Sequence, residues 1–338
     1  MMALTGLDTL ESARSCLAVD ANGHTRHWVR QRGLVSSAQA KRRFDTTRVG
    51  DLATRVYASA VSESRLETAT DFLSWLFLLD DQLDEGPVGR NPEAVQDHLM
   101  HLTRVLSASE PIGQVAPTPL AAALADLWLR VGTAMPVLWR ERLIQHVIDY
   151  FRGCEWEARN RADCHIPDVD EFVPARREAG AVFPSIDFVE FVADIVVPAS
   201  VYDTPAFTEL RQSAGDVICW TDDVLGVSKE RAHGDVHNLV LVLEHAKGLT
   251  PEAAVAEAVV SIRTRIADFE RHAESLPQLL TDLGADTQTR DATAQYVKGL
   301  KDWMRGFADW ALETVRYLDV DNDAVKTSDA YLEPLLGQ

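Results

Sequence analysis

Two runs of acidic residues hold the chemistry that this sequence could perform. Asp80-Asp81-Gln82-Leu83-Asp84-Glu85 follows an apolar stretch over residues 66–79 and stands directly before Gly86-Pro87. At ~100° per residue, Asp80 and Asp84 lie one above the other on one helix face, with Asp81 on the flank. The C-terminus of a helix carries partial negative charge, so four carboxylates there repel the dipole and each other. Something cationic is expected beside them. In most proteins an acidic triplet at a helix end is a solvated cap. Here Trp75 and Phe77 imply that the helix is deeply packed just before the cluster, which shifts the balance toward a metal site. All-oxygen ligands suit Mg²⁺ or Mn²⁺, and Mg²⁺ commonly bridges a few carboxylates to substrate phosphates, so a diphosphate is the working substrate.

The second run is Asp222-Asp223-Val224-Leu225-Gly226-Val227-Ser228-Lys229-Glu230. Asp222, Gly226 and Glu230 are at i, i+4 and i+8 and share a face, with a carboxylate at each end and a gap between. Lys229 places a cation beside them that a phosphate oxygen could accept from. Alone, this run would read as a solvated helix end; two such runs at the ends of apolar helices rarely coincide. Further cations, Arg176-Arg177 before Gly180 and Pro184, and Arg316-Tyr317 after a late aromatic-rich stretch, are individually weak signals.

The elements that must position these residues read as helices throughout. Apolar residues recur every three to four positions, and sustained period-two alternation is hard to find. Thr204-Pro205 is an N-cap followed by Pro at the first helical position, and the stripe from Phe207 to Leu225 predicts a helix to about Lys229. Thr250-Pro251 opens another in the same way. Tyr296, Leu300, Trp303, Phe307, Trp310, Thr314 and Tyr317 keep the helical period for roughly six turns. Such an aromatic stripe is more often core than pocket wall. Breaks fall at residues 108–119, 165–168, at Pro184, at Pro198 and at His233-Gly234, and none is a long linker. The expectation is an all-α fold, one helical bundle over residues 1–338, with residues 1–20 as a flexible N-terminal segment.

Composition narrows the partners. The 338 residues carry 33 Lys plus Arg against 52 Asp plus Glu, a formal net charge of −19. That balance argues against nucleic acid, whose phosphates demand Lys and Arg, and against anionic membrane surfaces. The densest apolar run, residues 75–79, is far short of a membrane span. Cys16, Cys154, Cys164 and Cys219 form no close-spaced pair, and the start of the chain lacks a signal-peptide pattern, so a cytoplasmic protein is expected. No EF-hand loop spacing appears, which weakens the reading of a non-catalytic acidic metal-binding protein. His98 and His101 lack acidic or cysteine partners at zinc-ligand spacing.

Taken together, these motifs resemble those of the bacterial class I terpene synthases (terpene cyclases), over nearly the whole chain. Residues 80–84 are similar to that family's DDxxD motif, and residues 222–230 to its second metal-binding triad, (N/D)DxxSxxKE, followed by Asp235-Val236-His237-Asn238-Leu239-Val240. Arg176 matches the diphosphate-sensing arginine and Gly180 the effector glycine. Trp303, Trp310 and Arg316-Tyr317 match a late aromatic pattern, and residues 28–34 an early WxxxxGL signature. The resemblance implies an all-α bundle with a central apolar cavity and two metal-binding walls at its mouth. It implies three Mg²⁺ ions, with Mn²⁺ as a substitute, held by Asp80, Asp84, Asp222 and Glu230. Arg176, Lys229, Arg316 and Tyr317 would donate to an isoprenyl diphosphate, while Phe77, Trp303, Phe307 and Trp310 would line the pocket. Farnesyl diphosphate is the favoured substrate, geranylgeranyl diphosphate next, and a homodimer is implied. One departure stands out: Gly226 replaces the usual Ser or Thr, so a water is expected at that coordination place. A chain-elongating prenyltransferase shares the scaffold, but would carry a second DDxxD-type site in place of the triad.

Overall fold

The computed structural model describes residues 2–107, 118–317 and 335–336, and among them the chain forms fifteen α-helices and no strand. The first five are α1 (Met2–Thr5), α2 (Ala21–Gln31), α3 (Ala38–Thr47), α4 (Val49–Val56) and α5 (Glu63–Asp84). Next come α6 (Pro92–Ser107), α7 (Pro119–Gly132), α8 (Val137–Asp163), α9 (Val169–Ala179) and α10 (Val182–Ala193). The last are α11 (Ala199–Tyr202), α12 (Pro205–His233), α13 (Leu239–Lys247), α14 (Pro251–Asp282) and α15 (Thr287–Glu313). No helix among the described residues is long and apolar enough to cross a membrane. Most of the Pro-rich break at 108–119 lies outside the described residues.

Helix α5 is the spine of the molecule. Ser62 caps it by accepting from the Arg65 amide, and from Leu66 to Leu76 all but one residue is buried, so the helix has no polar face to offer solvent there. Its internal hydroxyls are satisfied within the helix: Thr70 bonds the Leu66 carbonyl and Ser74 the Thr70 carbonyl. Trp75 donates to the Leu120 carbonyl of α7, and Phe72 stacks on Phe188 of α10 at 4.3 Å. On the other side of the cavity, α12 packs against α14, α15 and α9. Thr204 accepts from the Phe207 amide with Pro205 at the first helical position, and Gly234 closes the helix with φ 74°.

Residues 7–15 make contacts with the bundle: Leu7 is fully buried, Arg305 of α15 donates to the Leu10 carbonyl at 2.5 Å, Ser12 bonds Asp309 and the Ser15 amide bonds the Thr54 carbonyl. Two expectations change. The break expected at Pro184 falls instead at Gly180-Ala181, where Ala181 takes φ 51° and Pro184 is accommodated in the first turn of α10. Helix α15 stops at Glu313 rather than continuing through Tyr317. Thr314 turns out of the helix (ψ 145°) and donates its hydroxyl to the Thr47 carbonyl, which swings Arg316 and Tyr317 across the cavity.

Candidate active site

One large cavity is lined by α5, α8, α9, α10, α12 and α15, with Arg316 and Tyr317 over it. Its lower wall is apolar, including Leu73, Leu76, Phe77, Ile218, Trp303 and Phe307, and its mouth is ringed by charge. Trp310 does not line it. That ring is fully buried behind Phe77 and Phe307, 5.6 and 5.8 Å between centroids, with its indole N–H donating to the Thr47 and Arg48 carbonyls. Along α15, residues 303, 307 and 310 share one face, but Trp310 lies about 10 Å further along the helix axis than Trp303, where Phe77 and Phe307 pack against it, so only the first two reach the cavity.

The cations that the end of α5 calls for are present. Arg316 reaches Asp80 at 3.5 Å and Asp81 at 3.1 Å; Arg43 of α3 also bonds Asp81 and grips Glu85 with two bonds of 2.7 Å. Lys229 spans from α12 to Glu85 at 3.0 Å. Arg161 of α8, which carried no signal in the sequence, bonds Asp84 at 2.6 Å, Glu157 at 3.2 Å and Asp235 at 3.3 Å. Its other nitrogen reaches the Leu83 and Gly89 carbonyls, so a guanidinium caps the negative helix end. Asp80 keeps 38% of its side chain open to the cavity. Its depth in the protein nevertheless raises its carboxyl to about 7, with Arg316 opposing and Asp81, Glu157 and Asp222 adding.

On the facing wall Asp222 accepts from Arg176 at 2.8 Å and from the Tyr317 hydroxyl at 2.5 Å. Asp223, one residue on, is fully buried and turned away, taken by Arg176 Nε and the Leu239 amide. Glu230 accepts from Asn238 Nδ2 at 2.7 Å. Its carboxyl is pushed well up by burial, then by Asp222 and Asp223, against Arg176 and the Asn238 bond. Gly180 is needed at the break between α9 and α10 because a Cβ there would sit 2.7 Å from Cys219 Sγ and 3.1 Å from Arg176 Nη1. Beside Gly226, Glu230 Oε1 lies 2.6 Å from where a Cβ would be.

The donor set of the two walls, Asp80, Asp84, Asp222 and Glu230, is all carboxylate oxygen, which fits a hard divalent cation such as Mg²⁺. The one thiol on the cavity wall, Cys219, does not compete as a soft ligand: burial pushes it up to about 12 and its Sγ faces the Arg176 carbonyl. Among the described residues no three His, Cys, Asp or Glu side chains stand close enough together to hold an ion, and Arg161, Arg176 and Arg316 pair with Asp84, Asp222 and Asp80.

A helical bundle in which two carboxylate walls face each other across the mouth of an apolar cavity defines the class I terpenoid synthases. The chain belongs to the bacterial terpene synthase family: residues 71–268 match the family described as terpene synthase family 2, C-terminal metal binding. Both carboxylate runs fall inside that match. Pristinol synthase of Streptomyces pristinaespiralis is 34% identical over 300 residues, 88% of this chain and 80% of its own. A (+)-T-muurolol synthase, (2E,6E)-farnesyl diphosphate cyclizing, of Roseiflexus castenholzii is 32% identical over 290 residues, 86% of each chain. Among solved structures, wild-type cucumene synthase superposes with TM-score 0.78 at 28% identity, over 90% of this chain and 98% of its own. The protein is thus an enzyme, a class I terpene cyclase.

Proposed function

We propose that the enzyme ionises farnesyl diphosphate and cyclises the resulting cation to a sesquiterpene hydrocarbon or alcohol, with release of diphosphate. The carrying observation is the union of an apolar, aromatic-walled cavity with two facing carboxylate walls and four cation or hydroxyl donors at one mouth. The similarity to a farnesyl diphosphate cyclase supports the fifteen-carbon substrate; geranylgeranyl diphosphate is the next choice. Asp80 and Asp84 on one wall, and Asp222 and Glu230 on the other, would hold three Mg²⁺ ions, which when bound supply Lewis acidity to the leaving diphosphate.

The chain's own residues do the rest. Arg176, Lys229, Arg316 and Tyr317, which now rest on Asp222, Glu85, Asp80, Asp81 and again Asp222, would transfer their donors to the diphosphate oxygens as the substrate enters. The allylic C–O bond breaks with its electron pair leaving on the diphosphate oxygen. The carbocation left in the cavity faces Phe77, Trp303 and Phe307, whose ring faces stabilise positive charge. Ring closure then ends by proton loss or by capture of water. The enzyme works in the cytoplasm as a homodimer on this reading, and sedimentation tests the second point.

The test is product analysis by gas chromatography with Mg²⁺ and geranyl, farnesyl and geranylgeranyl diphosphates in parallel. A cyclic fifteen-carbon product is expected from farnesyl diphosphate, and near-complete loss of turnover in Asp80→Ala and Glu230→Ala. Absence of turnover with all three substrates, or normal rates in both variants, overturns the proposal.

A further inference from the structure

Gly226 is hard to explain by its own helix. It is buried in the interior of α12, its φ is not positive, and an internal Gly costs a helix about 1 kcal/mol relative to Ala. What the position requires is the absence of a side chain. A Cβ there would lie 2.6 Å from Glu230 Oε1, 3.4 Å from Glu230 Cδ and 3.8 Å from Tyr317 Cε1. Side chains in a helix lean toward its N-terminus, so Glu230, one turn on, folds back onto the bare backbone at 226. Its other oxygen, Oε2, is fixed by Asn238 Nδ2 at 2.7 Å.

Asn238 has only one way to face. Its Oδ1 caps α13, accepting from the Val240 amide at 2.8 Å and the Leu241 amide at 3.4 Å. That leaves Nδ2 to donate to Glu230 and to the Asp223 carbonyl at 2.6 Å, and the side chain is fully buried. No hydrogen bond among the described residues engages Glu230 Oε1, which therefore stands over Gly226 on the face that also presents Asp222.

We propose that Gly226 is a clearance that admits the Glu230 carboxylate, and that Glu230 Oε1, positioned by Asn238, supplies the donor at the centre of the 222–230 wall in place of a hydroxyl or a water. Asn238 is thereby a positioning residue, acting on the metal through Glu230. The inference rests on the metal-binding reading given under Proposed function.

The test is Mn²⁺ binding to the full-length protein with inorganic diphosphate, followed by electron paramagnetic resonance, beside thermal melting. Gly226→Ala should melt close to wild type, because the gain in helix propensity offsets the displacement of the Glu230 carboxylate. The same variant should weaken one bound ion roughly tenfold or more, and Gly226→Ser should do likewise despite its hydroxyl. Asn238→Ala should weaken that ion by about tenfold, the usual effect of removing a group that orients a ligand. Should Gly226→Ser bind as tightly as wild type, with Gly226→Ala weakened or not, the inference is overturned and a hydroxyl or water occupies the place. If Asn238→Ala does not fold, the two Gly226 variants decide alone. Wild-type protein that binds no Mn²⁺ in the presence of diphosphate overturns the metal reading itself and this inference with it.

Discussion

Arg161→Met is the perturbation with the clearest arithmetic. The Arg161 side chain is 9% exposed and its guanidinium serves three carboxylates on three elements, Asp84 at the end of α5, Glu157 one turn back on α8 and Asp235 after α12. Met preserves most of the packing volume and removes only the charge and its donors. Breaking a buried pair by deleting one partner costs about 3 to 5 kcal/mol, and the open position of Asp84 argues for the lower end. An unfolding entropy of ~2.1 cal/mol/K per residue gives about 0.7 kcal/mol/K for a chain of 338, so 3 kcal/mol lowers Tm by about 4 °C. Burial alone would raise the Asp235 carboxyl, but the His237 hydrogen bond and Arg161 hold it well below the usual carboxylate range. Its contribution is therefore present above the ordinary carboxylate pKa and lost as pH falls through the depressed native value. In the variant Asp84 and Asp235, which Arg161 holds down in the wild type, take up protons at higher pH, so the gap to wild type should narrow from pH 8 to pH 5. Differential scanning calorimetry at both pH values measures it. Equal melting of the two proteins at pH 8, or a gap that widens on acidification, refutes the reasoning.

Three further outcomes are expected. Gly180→Ala should lower kcat/KM by about tenfold to a hundredfold, because its Cβ would press on Cys219 Sγ and Arg176 Nη1 and disturb a donor worth about 1.5 to 3 kcal/mol to a diphosphate; steady-state kinetics checks this. Trp310→Phe should lose about 1 to 3 kcal/mol of stability by leaving the Thr47 and Arg48 carbonyls without their indole donor, yet keep the product profile, whereas Phe77→Ala and Trp303→Ala should alter it. His24 is raised chiefly by its hydrogen bond with Asp71, so its stabilisation is full below about pH 6.5 and is lost as pH rises through the higher native value. The melting difference between wild type and His24→Gln should accordingly shrink from pH 6 to pH 9.

Local pattern made the helices and the two acidic runs legible, since a 3.6-residue period and cap residues such as Thr204-Pro205 and Thr250-Pro251 act within a few positions. The electrostatic awkwardness of four carboxylates at the end of α5 also foretold a cation. Which cation would meet which carboxylate was not legible. Arg43, Arg161 and Arg316 come from α3, α8 and the turn after α15, and no periodicity relates them to residues 80–85. Trp310 shows the converse failure, for it shares a stripe with Trp303 and Phe307, yet Phe77 and Phe307 pack against it and keep it behind the wall.

The sequence by itself determined the class of chemistry: all-oxygen ligands at i, i+4 and i+8 spacing on helix faces, in a chain whose net charge of −19 suits metal-bridged anions better than direct ones. Only the tertiary structure decided which side chains meet at the site. Thr314 leaves the α15 helix to bond Thr47, which brings Arg316 and Tyr317 onto the carboxylates of both walls. Gly226 gives up its side chain to the carboxylate of Glu230. Both depend on close approach between groups from separate turns or separate helices, and such distances are fixed by packing, which no local pattern records.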